Sequence, residues 1–418
     1  MIRILHTSDW HLGKRLERFP RHEEQVAVLE EILEISEREK VDLIMVAGDL
    51  FDTFNPPAES QELFYRLLKK MANNGKRPVV AIAGNHDMAE RIDAPDPLAR
   101  ECGIILAGSP LSESGLYQHG EEFTISRSEP GFIEIQIPGK EPVRILLTPY
   151  VSELRLHREL GGENKDQQLR EWLQEHWKSL SDKYCDTSGI NILLTHLLFM
   201  NEGEEAPEEP EDERSINHIG GAPAIYTSAI PDSIQYTALG HLHRYQFVRS
   251  NPSPVVYSGS PLPYSFSEAG QTKQAILVDL EPGAKASVRA IPLQSGRRLE
   301  RKRFEEYEAA LSWLKQNPDT LVELTIVSDN FLPGSQRREL NDIHKGIVSI
   351  IPEIRNPENQ AGSSPEIRAV QSDMHILFAE YFMSRKGQAP GPELQELFRE
   401  VLSGTDENKA AGTIFTEE

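Results

Sequence analysis

Five short apolar runs in this chain each give way to Asp, Asn or His, and that repetition limits the folds open to it. They are ILHTSDWH, DLIMVAGDLFD, PVVAIAGNHD, NILLTH and YTALGHLH. Each run has the length and the Val, Ile and Leu content of a buried strand. Between the first two, residues His22 to Arg38 repeat apolar side chains at Val26, Leu29 and Leu33, a helical spacing. Gln61 to Met71 reads as a second helix before the third run. Such alternation predicts right-handed crossovers and a largely parallel sheet covered by helices. Further strands are read at IEIQI, RILLTPY, VVYSGS and QAILVDL, and their density after residue 130 predicts two β-sheets packed face to face. The expected class is therefore α/β, two packed sheets flanked by helices.

The main domain is expected over residues 1–280, ending near Glu281-Pro282-Gly283. Residues 281–357 then read as a small α+β unit: strands ASVRAIPL, LVELTIV and VSIIPEI around helices FEEYEAALSWLKQ and QRRELNDIHKGI. Asn356 to Pro365 reads as a linker. Residues 366–404 carry two amphipathic helices, one with Met374, Leu377, Phe378, Tyr381 and Phe382, the other with Leu394, Leu397, Phe398 and Val401. Two short helices cannot bury such faces on each other alone, so they are expected to dock on this body or on a partner. Residues 405–418 read as a disordered tail.

Charge and cysteine content narrow the chemistry. The chain has only Cys102 and Cys185, far apart and in no CxxC pattern, which fits a reducing compartment and gives no sign of a disulfide framework or a thiolate metal site. The N-terminus lacks a leader pattern, and the most apolar run, from Asn191, is too short to span a bilayer, so a cytoplasmic protein without membrane contact is expected. A net charge of −22 disfavours indiscriminate DNA binding and leaves attraction to local patches and metal ions. Acid concentrates in Glu202 to Glu213, read as a solvated loop. The basic run Arg297 to Arg303 reads equally as a solvated segment approaching a helix or as a phosphate-contacting patch.

The polar residues that close the apolar runs are Asp9 and His11, Asp49 and Asp52, Asn85 and His86, His196, and His241 and His243. Side chains at the carboxyl ends of strands emerge into a crevice. One Asp there is ordinarily a helix N-cap, and one His a satisfied core residue. Five such groups are poorly explained by independent structural roles. The two-residue separations in DxH and HxH would put both side chains on one side of an extended segment, where they can meet one ion. Gly48, Gly84 and Gly240 allow the chain to turn where the sheet ends.

In order, these blocks read DxH, GDxxD, GNHD, H and GHxH, and the pattern resembles the calcineurin-like metallophosphoesterases. The resemblance implies their fold, with a capping domain at 281–357. It implies two divalent cations, one held by Asp9, His11, Asp49 and His243, the other by Asp49, Asn85, His196 and His241. It assigns His86 no metal but the stabilisation of the transition state and protonation of the departing 3′ oxygen. The acid at the place of Asp52 orients that histidine, so an Asp52–His86 pair is expected, against a plain turn or cap role for Asp52. Asp87 is read as a hydrogen-bond partner or turn residue. Lys14, Arg15 and Arg18 could line a phosphate path or simply be basic by chance.

HTSDWHLGK, GDLFDTFNPP, AGNHD, LTPY, ALGHLH and YSGSPLPYSFSE together are similar to the SbcD family, nuclease subunits of bacterial SbcCD complexes. That likeness is strongest up to Glu268 and architectural beyond. It implies Mn²⁺-dependent 3′→5′ exonuclease action on DNA double-strand ends, and ATP-dependent endonuclease action on hairpins or near blocked ends. It implies roles in DNA repair, recombination and replication. The implied partners are DNA, an SbcC-like coiled-coil ATPase docked on the C-terminal helices, and a second copy, giving a homodimer within a heterotetramer. Gln61–Met71 and Asp93–Arg100 are the candidate dimer segments. The chain has no phosphate-loop motif of its own, so any ATP dependence must come from the partner. A metallophosphodiesterase acting on small nucleotides, or a catalytically weak DNA-end tether, are the alternative readings.

Overall fold

Strands such as Leu43–Ala47 are buried on both faces, which is why they read as unbroken apolar runs rather than alternating ones. In a computed structural model the described residues are 1–156, 164–204, 224–329 and 332–355, with positions 391, 394, 395 and 398. The first sheet runs in the order Ser287–Pro292, Gln274–Leu280, Ile2–Thr7, Leu43–Ala47, Val79–Ile82, Ile104–Ala107. Its last four strands are parallel and its first two antiparallel. The second sheet has eight strands, and Val143–Thr148, Ile190–His196, Tyr236–Gly240 and Val255–Tyr257 form its parallel centre.

Successive side chains on these strands face opposite layers. Ile4, Met45 and Ile82 meet Ile145, Leu194 and Ala238 in the core between the sheets. Leu5, Ile44 and Val46 face the other way, onto Leu29 and Ile32 of the helix His22–Arg38 and Phe64 and Leu67 of the helix Ala58–Met71. On the outer face of the second sheet, Leu146, Leu193 and Leu239 pack on Leu173 and Trp177 of the helix Lys165–Tyr184. No helix among the described residues is long and apolar enough to cross a membrane.

Two segments differ from the sequence reading. Ser287–Pro292 does not open the small α+β unit but returns as a hairpin onto Gln274–Leu280, as the edge strand of the first sheet. The turn that reverses it is Glu281-Pro282-Gly283-Ala284, closed by Ala284 N–H on the Glu281 carbonyl at 3.1 Å. The basic run is the strand Arg298–Phe304 rather than a segment approaching a helix, and it lies parallel to Thr320–Ser328. Four of its five cations are matched within the chain: Arg297 by Glu24, Arg301 by Glu323, Lys302 by Glu300 and Arg303 by Glu305 and Glu353.

The three-stranded sheet is completed by Ile347–Ile354 and covered by the helices Tyr307–Gln316 and Gly334–Ile343 over a core of Leu311, Leu314, Leu324 and Leu340. It meets the main body through Leu299 and Leu321 against Leu16, Phe19 and Phe266. The chain divides into two compact units, residues 1–353 and 354–418. In the second unit Leu394, Gln395 and Phe398 are helical. The other residues of the two expected C-terminal helices, Asn356 to Pro365, the 405–418 tail and positions 205–213 of the acidic stretch lie outside the described residues.

His6 joins the two sheets. Its Nδ1 lies 2.9 Å from the Tyr236 hydroxyl and its Nε2 3.2 Å from the Leu239 carbonyl, which can only accept, so Nε2 carries the proton. Complete burial pushes the imidazole down to about 3 despite the carbonyl's opposing pull. Below its ordinary value of about 6.5 the unfolded chain takes up a proton here that the folded chain refuses. Stability is therefore lost progressively as pH falls from about 6.5 towards 3. His6→Gln keeps a donor and an acceptor but does not titrate. Urea unfolding at pH 7 and pH 5 should show the wild type losing on the order of 2 kcal/mol more than the variant; equal losses would remove His6 from the acid response.

Candidate metal centre

The carboxyl ends of the parallel strands in both sheets meet at one place, and the residues singled out from the sequence come together there. Asp49 is the hub. Its Oδ2 lies 3.4 Å from Nε2 of both His11 and His196. To one side, His11 Nε2 is 2.9 Å from His243 Nε2. To the other, Asn85 Oδ1 is 2.9 Å from His196 Nε2 and 3.0 Å from His241 Nδ1. Asp9 belongs to both sides: its ligand atom groups with those of His11 and His243, and with those of Asp49 and His196, all within 4.8 Å. None of these seven residues is more than 3% exposed.

The backbone reaches this arrangement differently from the extended alternation expected of DxH. Asp9, His11 and Asp49 all have left-handed backbones, with φ of 54°, 44° and 49°, and His241 has φ 112°. For residues with a Cβ this costs on the order of 1–3 kcal/mol each and persists only where the surroundings hold it. They do so here by braiding two loops: Asp9 N–H donates to the Gly48 carbonyl at 2.9 Å and His11 N–H to the Asp49 carbonyl at 3.0 Å. Gly240 is required at its position, because a Cβ there would lie 1.8 Å from the Ala47 carbonyl oxygen. That same carbonyl accepts from His196 Nδ1 at 2.7 Å, which leaves His196 Nε2 unprotonated in the neutral ring and turned to the pocket.

Asp52 and His86 do pair, but through the Asp52 main chain: His86 Nδ1 donates to that carbonyl at 3.0 Å. The Asp52 carboxylate instead faces Lys14 Nζ at 3.4 Å and His11 Nδ1 at 3.7 Å. The cause is a short parallel bridge of Leu12 to Phe51, which lays the loop carrying Lys14 over Asp52. Lys14 is thus engaged with an acid, Arg15 donates to the Arg18 carbonyl, and Arg18 reaches the Ile347 carbonyl of the three-stranded sheet at 3.0 Å.

Residues 2–245 match the family model described as calcineurin-like phosphoesterase. The chain is 34% identical over 418 residues to the SbcD subunit of the SbcCD nuclease of Bacillus subtilis (strain 168), covering 98% of this chain and 100% of that one. It is 34% identical over 298 residues to the corresponding SbcD protein of Rhodobacter capsulatus, covering 70% and 69% of the two chains. With the SbcD protein of Escherichia coli (strain K12) it shares 30% over 347 residues, 81% of each chain. The chain belongs to the SbcD family of calcineurin-like phosphoesterases. Its fold is theirs, and it is a metallophosphoesterase of the SbcCD nuclease type.

The residues of this SbcD-family site suit divalent cations. Burial lowers the His11 imidazole well below its ordinary value. Burial would raise the Asp49 carboxyl, but His196, His86 and His11 outweigh it and hold it well below the carboxylate range. Burial would lower His196, but Asp49 and then Asp9 raise it to about 9. Two buried carboxylates thus rely on nearby positive charge, and no lysine or arginine is ion-paired with Asp9 or Asp49 among the described residues. Imidazole, carboxylate and amide oxygen without thiolate is a donor set for first-row divalent ions.

The sequence reading undervalued three supports. Asp87 accepts from Leu50 N–H, Phe51 N–H and Gly84 N–H at 3.0, 2.9 and 2.8 Å, tying the GD loop to the GNHD loop. Glu268 and Lys273, in and beyond the YSGSPLPYSFSE segment, lie buried behind His243. Nothing in composition marks them, since SFSE reads first as a helix-capping signal. Asp87→Asn turns one acceptor into a donor facing backbone N–H groups, and should cost about 1–3 kcal/mol. Asp52→Asn, at a partly exposed carboxylate, should stay within about 0.5 kcal/mol. Denaturant unfolding in chelator checks both; an Asp87→Asn variant as stable as wild type would deny the staple.

Proposed function

We propose that the chain is a two-metal DNA nuclease and the hydrolytic subunit of an SbcCD-type complex. In this reading it cuts DNA phosphodiesters from duplex ends in the 3′→5′ direction. With a coiled-coil ATPase partner it also cuts hairpins and DNA near blocked ends, in repair, recombination and replication. The observation that supports it most is the convergence of Asp9, His11, Asp49, Asn85, His196, His241 and His243 in one dry pocket with Asp49 common to its two halves.

Asp9, His11, Asp49 and His243 would hold one cation, and Asp49, Asn85, His196 and His241 the other, with Mn²⁺ the ion in our reading. When bound, the pair supplies charge neutralisation for the phosphodiester and acidifies water as the nucleophile. The chain's own residues then do the rest. Asp49 separates the two sites and offsets cation–cation repulsion. His86 holds Nδ1–H on the Asp52 carbonyl, so its Nε2 is the nitrogen left for a proton in transit. That Nε2 is buried and has no hydrogen-bond partner among the described residues. As an imidazolium it can give its Nε2 proton to the departing 3′ oxygen while the carbonyl keeps the ring oriented. Asp52 acts on two histidines at once, through its carbonyl on His86 and its carboxylate beside His11.

In this reading the α+β unit that starts at the strand Arg298–Phe304 and ends with Ile347–Ile354 serves as the capping domain that orients DNA, the stretch 366–404 docks on the ATPase, and the nuclease pairs as a homodimer within a heterotetramer. The matched charges of Arg301 and Arg303 mean that DNA contact at that strand would require exchange of carboxylate partners for phosphate.

Wild type should take up two Mn²⁺ per chain and cut duplex ends. Asp49→Asn should lose both properties while binding DNA as before. His86→Gln should keep both ions and lose about 10²–10⁴-fold in turnover. Ion counting, DNA binding and cleavage of end-labelled duplex are measured side by side. An Asp49→Asn variant with wild-type cleavage would end the two-metal reading; a His86→Gln variant with full turnover would end the general-acid role alone.

A further inference from the structure

Glu268 and Lys273 form an ion pair that is almost completely withdrawn from solvent, 3% and 7% exposed. A buried pair is a poor way to stabilise a fold: each ion loses several kcal/mol of hydration, and apolar residues of similar size commonly do as well or better. The pair is instead aimed at one residue from two directions. Lys273 Nζ donates to the His243 carbonyl at 2.8 Å, to Ser260 Oγ at 2.9 Å, and to Glu268 Oε2. Glu268 Oε1 lies 3.6 Å from His243 Nδ1 on the ring side. Its own orientation is fixed by Tyr264 N–H at 2.8 Å and Ser265 N–H at 3.0 Å. Ser260 N–H adds a second donor to the His243 carbonyl at 3.1 Å. His243 is thus held by two donors at its main-chain carbonyl, with the Glu268 carboxylate beside its ring and Nε2 facing His11.

In the opposite half of the pocket His196 is held by other means. His196 is oriented by the Ala47 carbonyl, and no carboxylate outside the site stands behind it among the described residues. His196 and His243 therefore differ in what supports them: a neutral carbonyl behind the first, a buried anion beside the second. A carboxylate behind a ligating imidazole raises its basicity and fixes its ring plane, and removing such a partner weakens a metal site by roughly 10–100-fold.

We propose that Glu268, braced by Lys273, is a positioning residue that selectively strengthens the cation site of Asp9, His11 and His243 by fixing His243. The inference rests on the two-cation reading above. Its consequence is an asymmetric centre, with the Glu268-backed site filling first.

Mn²⁺ titration of the full chain by calorimetry, with ion counting after gel filtration, tests this on wild type, E268Q and the apolar double variant E268L/K273M. Thermal unfolding in chelator reports the fold of each. Wild type should bind two ions in distinguishable classes. E268Q and the double variant should lose roughly 10–100-fold in one class and stay within about twofold in the other. The double variant should also melt in chelator no lower than wild type, which a merely structural pair would share without the loss of affinity. Wild-type affinity in both classes for a folded E268L/K273M overturns the proposal; if that variant does not fold, the same result for E268Q does so. A wild type that takes up no Mn²⁺ overturns the two-ion reading itself, and this inference with it.

Discussion

Carboxylates that hold the backbone of one loop while presenting an oxygen to the pocket are the constraint on which the site depends. Asp49 Oδ1 accepts from His86 N–H at 2.9 Å, and its Oδ2 faces His11 and His196. Asp9 Oδ1 accepts from His241 N–H at 3.0 Å, which ties the end of the first strand in one sheet to the GHLH turn of the other. Asp87 collects three more N–H groups from the GD and GNHD loops. Loops at strand ends would otherwise carry buried N–H groups without partners, each costing about 1–3 kcal/mol. Satisfying them with carboxylates rather than carbonyls imports negative charge into a dry pocket. The same bonds that close the loops thus create the demand for cations.

That demand also explains why strained backbone survives here. Left-handed Asp9, His11 and Asp49 and the φ of 112° at His241 cluster at the centre rather than in solvent-exposed turns. The bonds between the first and second strand-end loops, and the close approach of Gly240 to Ala47, leave these residues no relaxed alternative that keeps their ladder partners. Strain held this way gives a preset geometry, so a cation that binds meets ligands already ordered and loses little affinity to their reorganisation.

Much of this is legible in the residues alone. The layered α/β architecture follows from apolar runs of strand length alternating with helical spacing, and the polar residues at their ends do converge. What the residues do not convey is the route. DxH reads as an extended pair sharing a face, whereas Asp9 and His11 converge through left-handed bends, because a two-residue spacing is compatible with both conformations. The Asp52 carboxylate is expected on His86, yet the main chain does that work, since a carbonyl's direction has no signature in residue identity. Ser287–Pro292 reads as the start of a new unit because its Pro-Gly turn marks a hairpin and a domain boundary equally well. Glu268 is hidden for a related reason: a residue that acts through another carries no spacing relative to it, and 25 positions separate Glu268 from His243 (268 − 243).

Four histidines in this fold show how partner geometry, rather than residue type, sets chemistry. His6 bonds Tyr236 and a carbonyl, is buried between the sheets and stays neutral as a core residue. His196 gives its Nδ1 proton to a carbonyl and turns Nε2 to two acidic neighbours, the arrangement of a ligand. His243 has a buried carboxylate behind it, which favours a stronger electron-pair donor than a carbonyl does. His86 also gives Nδ1 to a carbonyl, but it is only half-buried and its Nε2 meets no partner among the described residues. A nitrogen so placed is held by neither a proton donor nor an acceptor of the protein. On the reading proposed above, it is this nitrogen that a departing oxygen would meet.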